Sequence, residues 1–173
     1  MASIHAMVRS LSQKLGSNPA SVVVEINRYL VESSSPETFV TLFIGLIDCR
    51  RGVLHYVNCG HPPAIVKKTS GELEQLDSGG TVLGILADYE CIQATCSIDP
   101  GDSLVIVSDG VTEALNMKDE MFEHQRLIDT MTRSHHVSAQ GMLDAILEAV
   151  RTFMSGREQA DDISVLAIRR KSR

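Results

Sequence analysis

The order of the elements along the chain predicts an α+β domain. Two stretches with apolar residues at helical spacing open the sequence, a meander of short strands fills the middle, and two helices and a final strand close it. Helices and strands that are grouped in this way, instead of alternating strictly, are typical of a layered α+β domain. With 173 residues the chain is long enough for one domain with a sizeable core.

Two helices are predicted at the beginning. Apolar side chains recur at helical spacing in Ala2–Leu15, and Gly16 can end that helix. Asn18 and Pro19 then suit an N-cap followed by proline at the first helical position. The second helix should run to about Ser33. We expect its buried side chains to be Val22, Val23, Ile26, Tyr29 and Leu30.

The middle of the chain is predicted to form antiparallel strands. Phe39–Ile47 is apolar on both faces, which indicates a central strand. Gly79, Gly80 and Gly84 mark a loop. Turn residues separate the further strands that we expect, which are Val53–Val57, Ala64–Val66, Leu73–Leu76, Glu90–Ile98 and Leu104–Val107.

The last third of the chain is mostly helical in this interpretation. Helices are predicted at Phe122–Met131 and Ala139–Met154, followed by a strand at Ile163–Ile168. The apolar stripe of the second of these helices consists of Leu143, Ile146, Leu147, Val150 and Met154.

Composition limits the classes of function. The net charge of −6 argues against a nucleic-acid-binding surface, which needs clustered lysine and arginine. No apolar run reaches the roughly 20 residues that span a bilayer. The N-terminus has no signal-peptide layout, and no Cys-x-x-Cys pair occurs, so we expect a cytoplasmic protein. The basic cluster Arg169-Arg170-Lys171 with Arg173 is interpreted as solvated residues at the C-terminus. We expect the domain to cover residues 1–170 and a basic tail to follow at residues 171–173.

Acidic residues lie at the ends of two apolar strands. Asp109 and Gly110 follow the run Leu104–Val107, and Asp161-Asp162 precedes the last strand. A carboxylate at a strand end is held by rigid structure, and glycine beside it lets a ligand or the water shell of a metal approach. Mg²⁺ and Mn²⁺ prefer such oxygen ligands. The pattern favours a metal site, and the alternative for Asp109 alone is a turn aspartate that caps residues 111–116.

Other polar clusters are interpreted as structural. Gly60-His61-Pro62-Pro63 is expected to form a rigid turn with an exposed histidine. His135-His136 should lie in a solvated linker, and Asp102 in a Pro-Gly-Asp turn. The sequence has no Gly-x-Ser-x-Gly, P-loop or His-Glu-x-x-His motif, so serine hydrolases, P-loop enzymes and zincins lack support.

Six motifs in a fixed order resemble the SpoIIE/RsbU branch of the PPM-type protein phosphatases, over nearly the whole chain. They are Phe39-Val40-Thr41-Leu42-Phe43, Asn58-Cys59-Gly60-His61-Pro62-Pro63, Gly79-Gly80-Thr81-Val82-Leu83-Gly84, Pro100-Gly101-Asp102, Ser108-Asp109-Gly110-Val111-Thr112-Glu113-Ala114 and Gln159-Ala160-Asp161-Asp162-Ile163-Ser164.

This resemblance implies a fold, a reaction and a set of site residues. The fold would be a layered β-sandwich flanked by helices (αββα), and the activity a phosphoserine/phosphothreonine phosphatase with two Mn²⁺ or Mg²⁺ ions and a metal-bound water that attacks phosphorus. Asp109 and Asp161 would be catalytic metal ligands, with Asp162 a neighbouring ligand. Gly110 would allow close approach, and Gly60 and His61 would have structural or rim-forming roles.

One departure from the family pattern concerns the start of the chain. The family has an early strand ending in an Asp-x-Ser-Gly-x-Gly segment, whose aspartate bridges the two metals, and this sequence begins at the helix that follows it, Met1–Met7. We therefore expect an N-terminally truncated domain that binds metal weakly. An unpaired sheet edge, and pairing of two copies as a homodimer, would accompany the missing strand.

Two functional hypotheses follow. The first is a bacterial signalling phosphatase domain, impaired here by the missing aspartate. Its substrate would be a phosphorylated protein such as an anti-anti-sigma-type regulator, and its parent protein would carry an upstream sensor or receiver domain. The alternative is a degenerate, non-catalytic interaction module; the missing aspartate favours this alternative, whereas retention of Asp109 and Asp161 favours the enzyme. A metal-dependent nuclease is disfavoured by the acidic charge.

Overall fold

The structure is a computed structural model that describes residues 6–11, 18–33, 35, 37–135 and 137–171. The chain divides into two compact units. The first comprises Met1–His61 and Leu76–Ser97, and the second comprises Pro62–Gln75 and Ile98–Arg173.

Helices and strands occur in the order expected for an α+β chain. Residues 6–11 are helical and are called α1; the other parts of the helix expected at Ala2–Leu15 lie outside the described residues. The remaining elements are α2 (Pro19–Ser33), β1 (Leu42–Asp48), β2 (Val53–Cys59), β3 (Ala64–Lys67), β4 (Leu73–Leu76), β5 (Gly79–Gly80), β6 (Ala94–Ser97), β7 (Ser103–Val107), α3 (Asp109–Thr112), α4 (Glu123–Arg133), α5 (Ala139–Met154) and β8 (Val165–Arg169).

Helix α2 packs on the sheet of the first unit. The amide of Ser21 donates to Asn18 Oδ1 at 3.3 Å, as expected for an N-cap, and the helix ends at the expected Ser33. Val22, Val23, Ile26 and Leu30 are buried with side chains of the sheet. The prediction for Tyr29 is wrong, because that side chain is 40% exposed. Its ring lies beyond the edge of the buried stripe.

The sheet of the first unit is built around β2. Strands β1 and β6 pair with β2 in antiparallel fashion, and β5 pairs with it in parallel. Among the described residues β1 pairs with β2 alone, so the prediction of a central strand at Phe39–Ile47 is wrong. Phe39 is 60% exposed and Leu46 is 42% exposed, which shows that the apolar run belongs to a sheet edge.

Gly79 and Gly80 form a strand instead of the expected loop. They pair with Asn58 and Cys59 of β2. A Cβ at Gly79 would lie 1.9 Å from the carbonyl oxygen of Asn58, so only glycine permits this pairing. Gly84 lies in the following turn with φ +94°.

The second unit has a four-stranded sheet in the order β4-β3-β7-β8, with α4 and α5 on one face. Strand β7 is central and pairs with β3 and β8 in antiparallel fashion. The core of this unit consists of Ile65, Val105, Val107, Val111, Ala114, Phe122, Leu127, Met131, Met142, Ile146, Val150 and Met154. The buried β7 therefore fixes the position of the residues that follow Val107.

Helix α5 has the bounds that the sequence predicts. Ser138 caps it, since Ser138 Oγ accepts from the amide of Gly141 at 3.0 Å. Its buried stripe is Met142, Ile146, Val150 and Met154. Leu143 and Leu147 are only half-buried, so the prediction is wrong for these two residues. Each of them follows a buried residue by one position along the helix.

The basic residues near the C-terminus are part of the second unit. Arg169 belongs to β8, and its guanidinium donates to the carbonyls of Gly101 and Val137. Arg170 donates to the carbonyl of Ile98 at 2.6 Å. The prediction of a solvated cluster is therefore wrong for both arginines. Residues 172 and 173 lie outside the described residues, and the tail at residues 171–173 stays a prediction.

Within the described residues, every helix is too short or too polar to cross a bilayer.

Candidate metal centre

Asp109 is placed by the end of the buried strand β7. Ser108, in an extended conformation, is the N-cap of the four-residue helix α3, and Asp109 is its first residue. The carbonyl of Asp109 accepts from the amide of Glu113 at 2.8 Å, while its side chain is exposed. Asp109 therefore lies inside the first turn and is not the cap of residues 111–116. Rigid backbone thus presents an exposed carboxylate.

The segment Asp161-Asp162 lies directly beside Asp109-Gly110. A Cβ added to Gly110 would lie 2.4 Å from the carbonyl oxygen of Asp162 and 3.4 Å from the carbonyl carbon of Asp161. The structure thus brings together the two acidic segments that the sequence singled out. The space left by the missing side chain of Gly110 is occupied by the backbone of Asp162, where the sequence suggested a ligand or a water shell.

Hydrogen bonds of Ser108 tie the two segments to each other. The amide of Ser108 donates to the carbonyl of Ser164 at 2.9 Å, which continues the β7–β8 ladder by one step. The hydroxyl of Ser108 donates to the carbonyl of Asp162 at 2.8 Å and accepts from the amide of Ser164 at 2.9 Å. The acidic residues are therefore held by backbone and by a serine side chain.

The three carboxylates have few protein partners. Asp109 Oδ1 accepts from the amide of Gly110 at 2.9 Å, and Asp161 Oδ1 accepts from the amide of Asp162 at 2.6 Å. Asp109, Asp161 and Asp162 are all exposed, and none forms a salt bridge with another described residue. The two segments therefore meet through their backbones and present exposed acidic side chains on both sides of the contact.

These residues fit a hard divalent cation in donor type but are few in number. Carboxylate oxygens without a basic partner are the ligands that Mg²⁺ and Mn²⁺ prefer. Within the described ranges, however, no group of three or more His, Cys, Asp or Glu side chains is close enough to hold a metal ion. Asp109 and Asp161, with Asp162 beside them, are the residues that would hold such an ion, and water or other oxygen donors would have to complete the coordination.

A cavity of about 170 Å³ adjoins the acidic residues. Most of its wall is apolar, with Glu113, Gln159 and Asp161 as polar exceptions. Its lining residues are Gly110, Glu113, Ala114, Leu115, Met121, Met154, Gln159, Ala160, Asp161 and Ile163. The cavity shares Gly110 and Asp161 with the candidate site.

Gly60 and His61 belong to a turn in the first unit. Gly60 has φ +73°, and a Cβ there would lie 2.5 Å from Val82 Cγ1. The side chain of the buried Asn58 closes the turn: its Oδ1 accepts from the amide of His61 at 2.9 Å and its Nδ2 donates to the carbonyl of His61 at 3.0 Å. His61 is half-buried, not exposed as expected. Of the linker histidines, His135 is exposed and His136 lies outside the described residues.

Comparison with known proteins identifies the family. Residues 1–171 match the family model described as Stage II sporulation protein E (SpoIIE). The chain belongs to the SpoIIE family. Among curated proteins it is similar to "Protein IcfG" of Synechocystis, with 34% identity over 145 residues that cover 83% of this chain and 23% of that protein. It is also similar to "Phosphoserine phosphatase RsbU" of Bacillus subtilis, with 28% identity over 159 residues that cover 90% of this chain and 46% of that protein.

Solved structures confirm the predicted α+β fold of PPM-type phosphatases for this SpoIIE-family chain. The SiaA-PP2C domain of Pseudomonas aeruginosa superposes with a TM-score of 0.84 at 17% identity, covering 96% of this chain and 67% of that one. This chain spans less than half the length of the two curated relatives, 23% of one and 46% of the other.

Two further structures of this fold have titles that mention divalent metals. The phosphatase domain of SpoIIE from Bacillus subtilis, presoaked with Mn, has a TM-score of 0.70 at 19% identity, covering 96% of this chain and 72% of that one. RsbX in complex with magnesium has a TM-score of 0.62 at 17% identity, covering 95% of this chain and 71% of that one. The titles name manganese and magnesium for those two proteins.

Sequence reasoning missed Ser108 and Ser164 at this site. Both lie within the motifs that carry the family resemblance, but a serine next to an acid gives no separate signal. Their roles follow only from the antiparallel pairing of β7 and β8, which sets residue 108 opposite residue 164.

Proposed function

We propose that this chain is a metal-dependent phosphatase domain that hydrolyses phosphoserine or phosphothreonine on a signalling protein. The observation that carries the proposal is the contact between the Asp109-Gly110 and Asp161-Asp162 segments in a SpoIIE-family chain. The three exposed acids have no basic partner among the described side chains, so their charge is available to a cation.

Asp109 and Asp161 are the residues that would hold Mn²⁺ or Mg²⁺, with Asp162 as a neighbouring ligand. A bound divalent ion lowers the pKa of a coordinated water and offsets negative charge on phosphoryl oxygens. The contribution of the chain is positioning: β7 fixes Asp109, and the pairing of Ser108 with Ser164 fixes Asp161 and Asp162 beside it. Gly60 and His61 shape a separate turn and take a structural or rim role in this proposal.

A non-catalytic interaction module is the second candidate function. The observation that favours it is the lack of a three-ligand acidic group among the residues that the structure describes. A site with two anchor carboxylates binds a divalent ion weakly, since fewer negative ligands offset the cost of removing water from the ion. The isolated chain would then have low turnover while retaining the fold that binds a partner.

The substrate class is part of the proposal. Two curated relatives, RsbU and RsbP of Bacillus subtilis, have the name phosphoserine phosphatase. For this chain we propose a phosphorylated protein substrate, such as an anti-anti-sigma-type regulator, in the bacterial cytoplasm. A sensor or receiver domain upstream and a homodimeric state are the corresponding expectations for the parent protein.

The proposal is tested by Mn²⁺-dependent hydrolysis of a phosphoserine peptide. Asp109→Ala and Asp161→Ala should each abolish turnover, and Asp162→Ala should weaken it less. Asp129→Ala, which removes an exposed acid from helix α4, is the matched control and should leave turnover unchanged. Turnover that survives Asp109→Ala contradicts the metal assignment. A folded chain without turnover at saturating Mn²⁺ supports the non-catalytic candidate.

A further inference from the structure

The hydroxyl of Ser108 has two partners in the segment that contains the acidic pair and leads into β8. Ser108 Oγ donates to the carbonyl of Asp162 and accepts from the amide of Ser164. A serine hydroxyl has one proton to donate, and here that proton is directed at the peptide of Asp162. The side chain that precedes Asp109 thus binds the carbonyl of Asp162 and the amide of Ser164.

The β7–β8 ladder alone does not account for this arrangement. The paired residues of the two strands end at Val107 and Val165, and Ser108 adds one backbone bond to Ser164 beyond them. Residues 162 and 163 lie outside the paired residues of β8. The hydroxyl of Ser108 binds this backbone from the β7 side, through its 2.8 Å bond to the carbonyl of Asp162. The bonds that Gln159 and Asp161 side chains make to the same backbone are local, within two residues along the chain.

We propose that Ser108 is a positioning residue for metal binding, which holds the Asp161-Asp162 segment against Asp109 before a cation is bound. The inference rests on the proposed metal site. The two segments meet through their backbones and both carry exposed side chains of like charge, which favours movement of the Asp161-Asp162 segment away from Asp109. A bond to the backbone opposes that movement, and the ion then meets ligands that are already close together.

The size of the effect follows from related cases. Removing an outer partner that orients metal ligands typically weakens metal affinity by about 10–100-fold. Because Ser108 binds backbone atoms and not a ligand atom, we expect an effect at the lower end of this range. Ser108→Ala should therefore weaken Mn²⁺ binding about tenfold. Ser108→Thr keeps the hydroxyl and suits an N-cap, so it should bind Mn²⁺ nearly as the wild type does.

The experiment is an Mn²⁺ titration of the 173-residue chain followed by NMR, with no substrate present. Bound Mn²⁺ broadens nearby amide signals, and the amides of Gly110 and Asp162 are the reporters. The variants are Ser108→Ala, Ser108→Thr and Ser108→Val, the last two differing only in a hydroxyl against a methyl group. Ser138→Ala is the control, because Ser138 caps helix α5 through one hydrogen bond and binds neither acidic segment.

Weaker broadening in Ser108→Ala and Ser108→Val, with wild-type behaviour in Ser108→Thr and Ser138→Ala, supports the positioning role. The amide of Ser164 should also exchange with solvent faster in the two variants without a hydroxyl. If Ser108→Ala fails to fold, the comparison of Mn²⁺ affinity between Ser108→Thr and Ser108→Val tests the role of the hydroxyl. Equal Mn²⁺ affinity in Ser108→Thr and Ser108→Val overturns the role of Ser108 and leaves the metal site standing. Absence of broadening in the wild type overturns the metal site and the positioning role together.

Discussion

The carbonyl oxygen of Asp162 lies where a side chain at Gly110 would begin. A Cβ at Gly110 would be 2.4 Å from that oxygen, far inside the contact distance of two such atoms. Glycine at this position is therefore a condition for bringing the two acidic segments together. Its role here is packing of backbone against backbone, because its φ is not in the left-handed region that favours glycine.

Gly110→Ala should destabilise the protein and weaken metal binding together. The new methyl group would force the Asp162 peptide away, which costs about 1–3 kcal/mol as an overpacked contact. The same movement separates Asp162 and Asp161 from Asp109. Urea unfolding measures the first effect, and Mn²⁺ titration measures the second.

Gly141→Ala is the matched control for that variant. Gly141 lies in helix α5, and its added Cβ would meet Val137 Cβ at 3.2 Å, a contact that a shift of Val137 by a few tenths of an ångström relieves. Alanine gains up to about 1 kcal/mol of helix propensity, which offsets the contact. The metal affinity should not change. Wild-type stability in Gly110→Ala would show that the Asp162 segment yields without cost and is not held in place.

Much of the fold could be predicted from periodicity and turn residues. The helix Ala139–Met154 and the caps at Asn18 and Ser138 have local causes that a sequence displays. The prediction of a central strand at Phe39–Ile47 is wrong because an apolar run at a sheet edge has the same sequence pattern as one at the centre of a sheet. A central strand and an edge strand differ in how many strands pair with them, and the apolar run itself does not specify its partner strands.

The acidic residues of the candidate site could be predicted from the sequence, but the contacts that hold them in place could not. Asp109 and Asp161 stand out because they adjoin apolar strands. Ser108 and Gly110 have roles that depend on residues more than fifty positions away, through the register of β7 with β8. Single-sequence patterns report neighbours along a helix or strand, whereas this contact is set by tertiary pairing.

Asn27→Leu should destabilise the first unit. The buried side-chain amide of Asn27 donates to the carbonyl of Leu86 at 2.8 Å and accepts from the amide of Gly84 at 2.9 Å. Leucine has a similar volume but leaves both backbone groups without their partner. Each buried unsatisfied group costs about 1–3 kcal/mol, so a loss of about 2–4 kcal/mol in the free energy of unfolding is expected.

Urea unfolding checks that value, with Glu25→Ala as the control on the same helix. Glu25 forms an exposed ion pair with Arg28 at 2.7 Å, and such pairs contribute about 0–1 kcal/mol. A loss in Asn27→Leu no larger than that of Glu25→Ala would mean that water replaces the amide, and that Asn27 does not fix the Gly84 turn.

Lys67→Met should destabilise the end of helix α4. The ammonium group of the buried Lys67 donates to the carbonyls of Met131, Thr132 and Ser134. Methionine fills a similar space but provides no donor, so the carbonyls at the helix end lose their partner. The expected loss is about 1–3 kcal/mol in urea unfolding. Lys118→Met, at an exposed position, should change stability by less than about 0.5 kcal/mol.

An increase in the free energy of unfolding for Lys67→Met would contradict this prediction. Burial also lowers the pKa of Lys67, because the charged form is less well solvated inside the protein. If desolvation outweighs the three hydrogen bonds, Lys67→Met will be more stable than the wild type. An increase in the unfolding free energy would therefore show that the lysine is retained at a net cost.

His124 should make stability depend on pH in the acidic range. Burial lowers the pKa of His124 below its usual value of 6.5, and its Nε2 has no hydrogen-bond partner among the described residues. The unfolded chain then binds a proton at a higher pH than the native protein. As pH falls below about 6.5, protonation favours the unfolded state and the free energy of unfolding decreases until the native pKa is passed.

His124→Gln removes the titrating imidazole. The free energy of unfolding should therefore depend less on pH in this range. Urea unfolding of wild type and variant from about pH 8 to about pH 5 gives the difference, in which the other titrating groups cancel. Parallel profiles for the wild type and His124→Gln would mean that the imidazole is solvated in the native protein, contrary to its half-buried position in the first turn of helix α4.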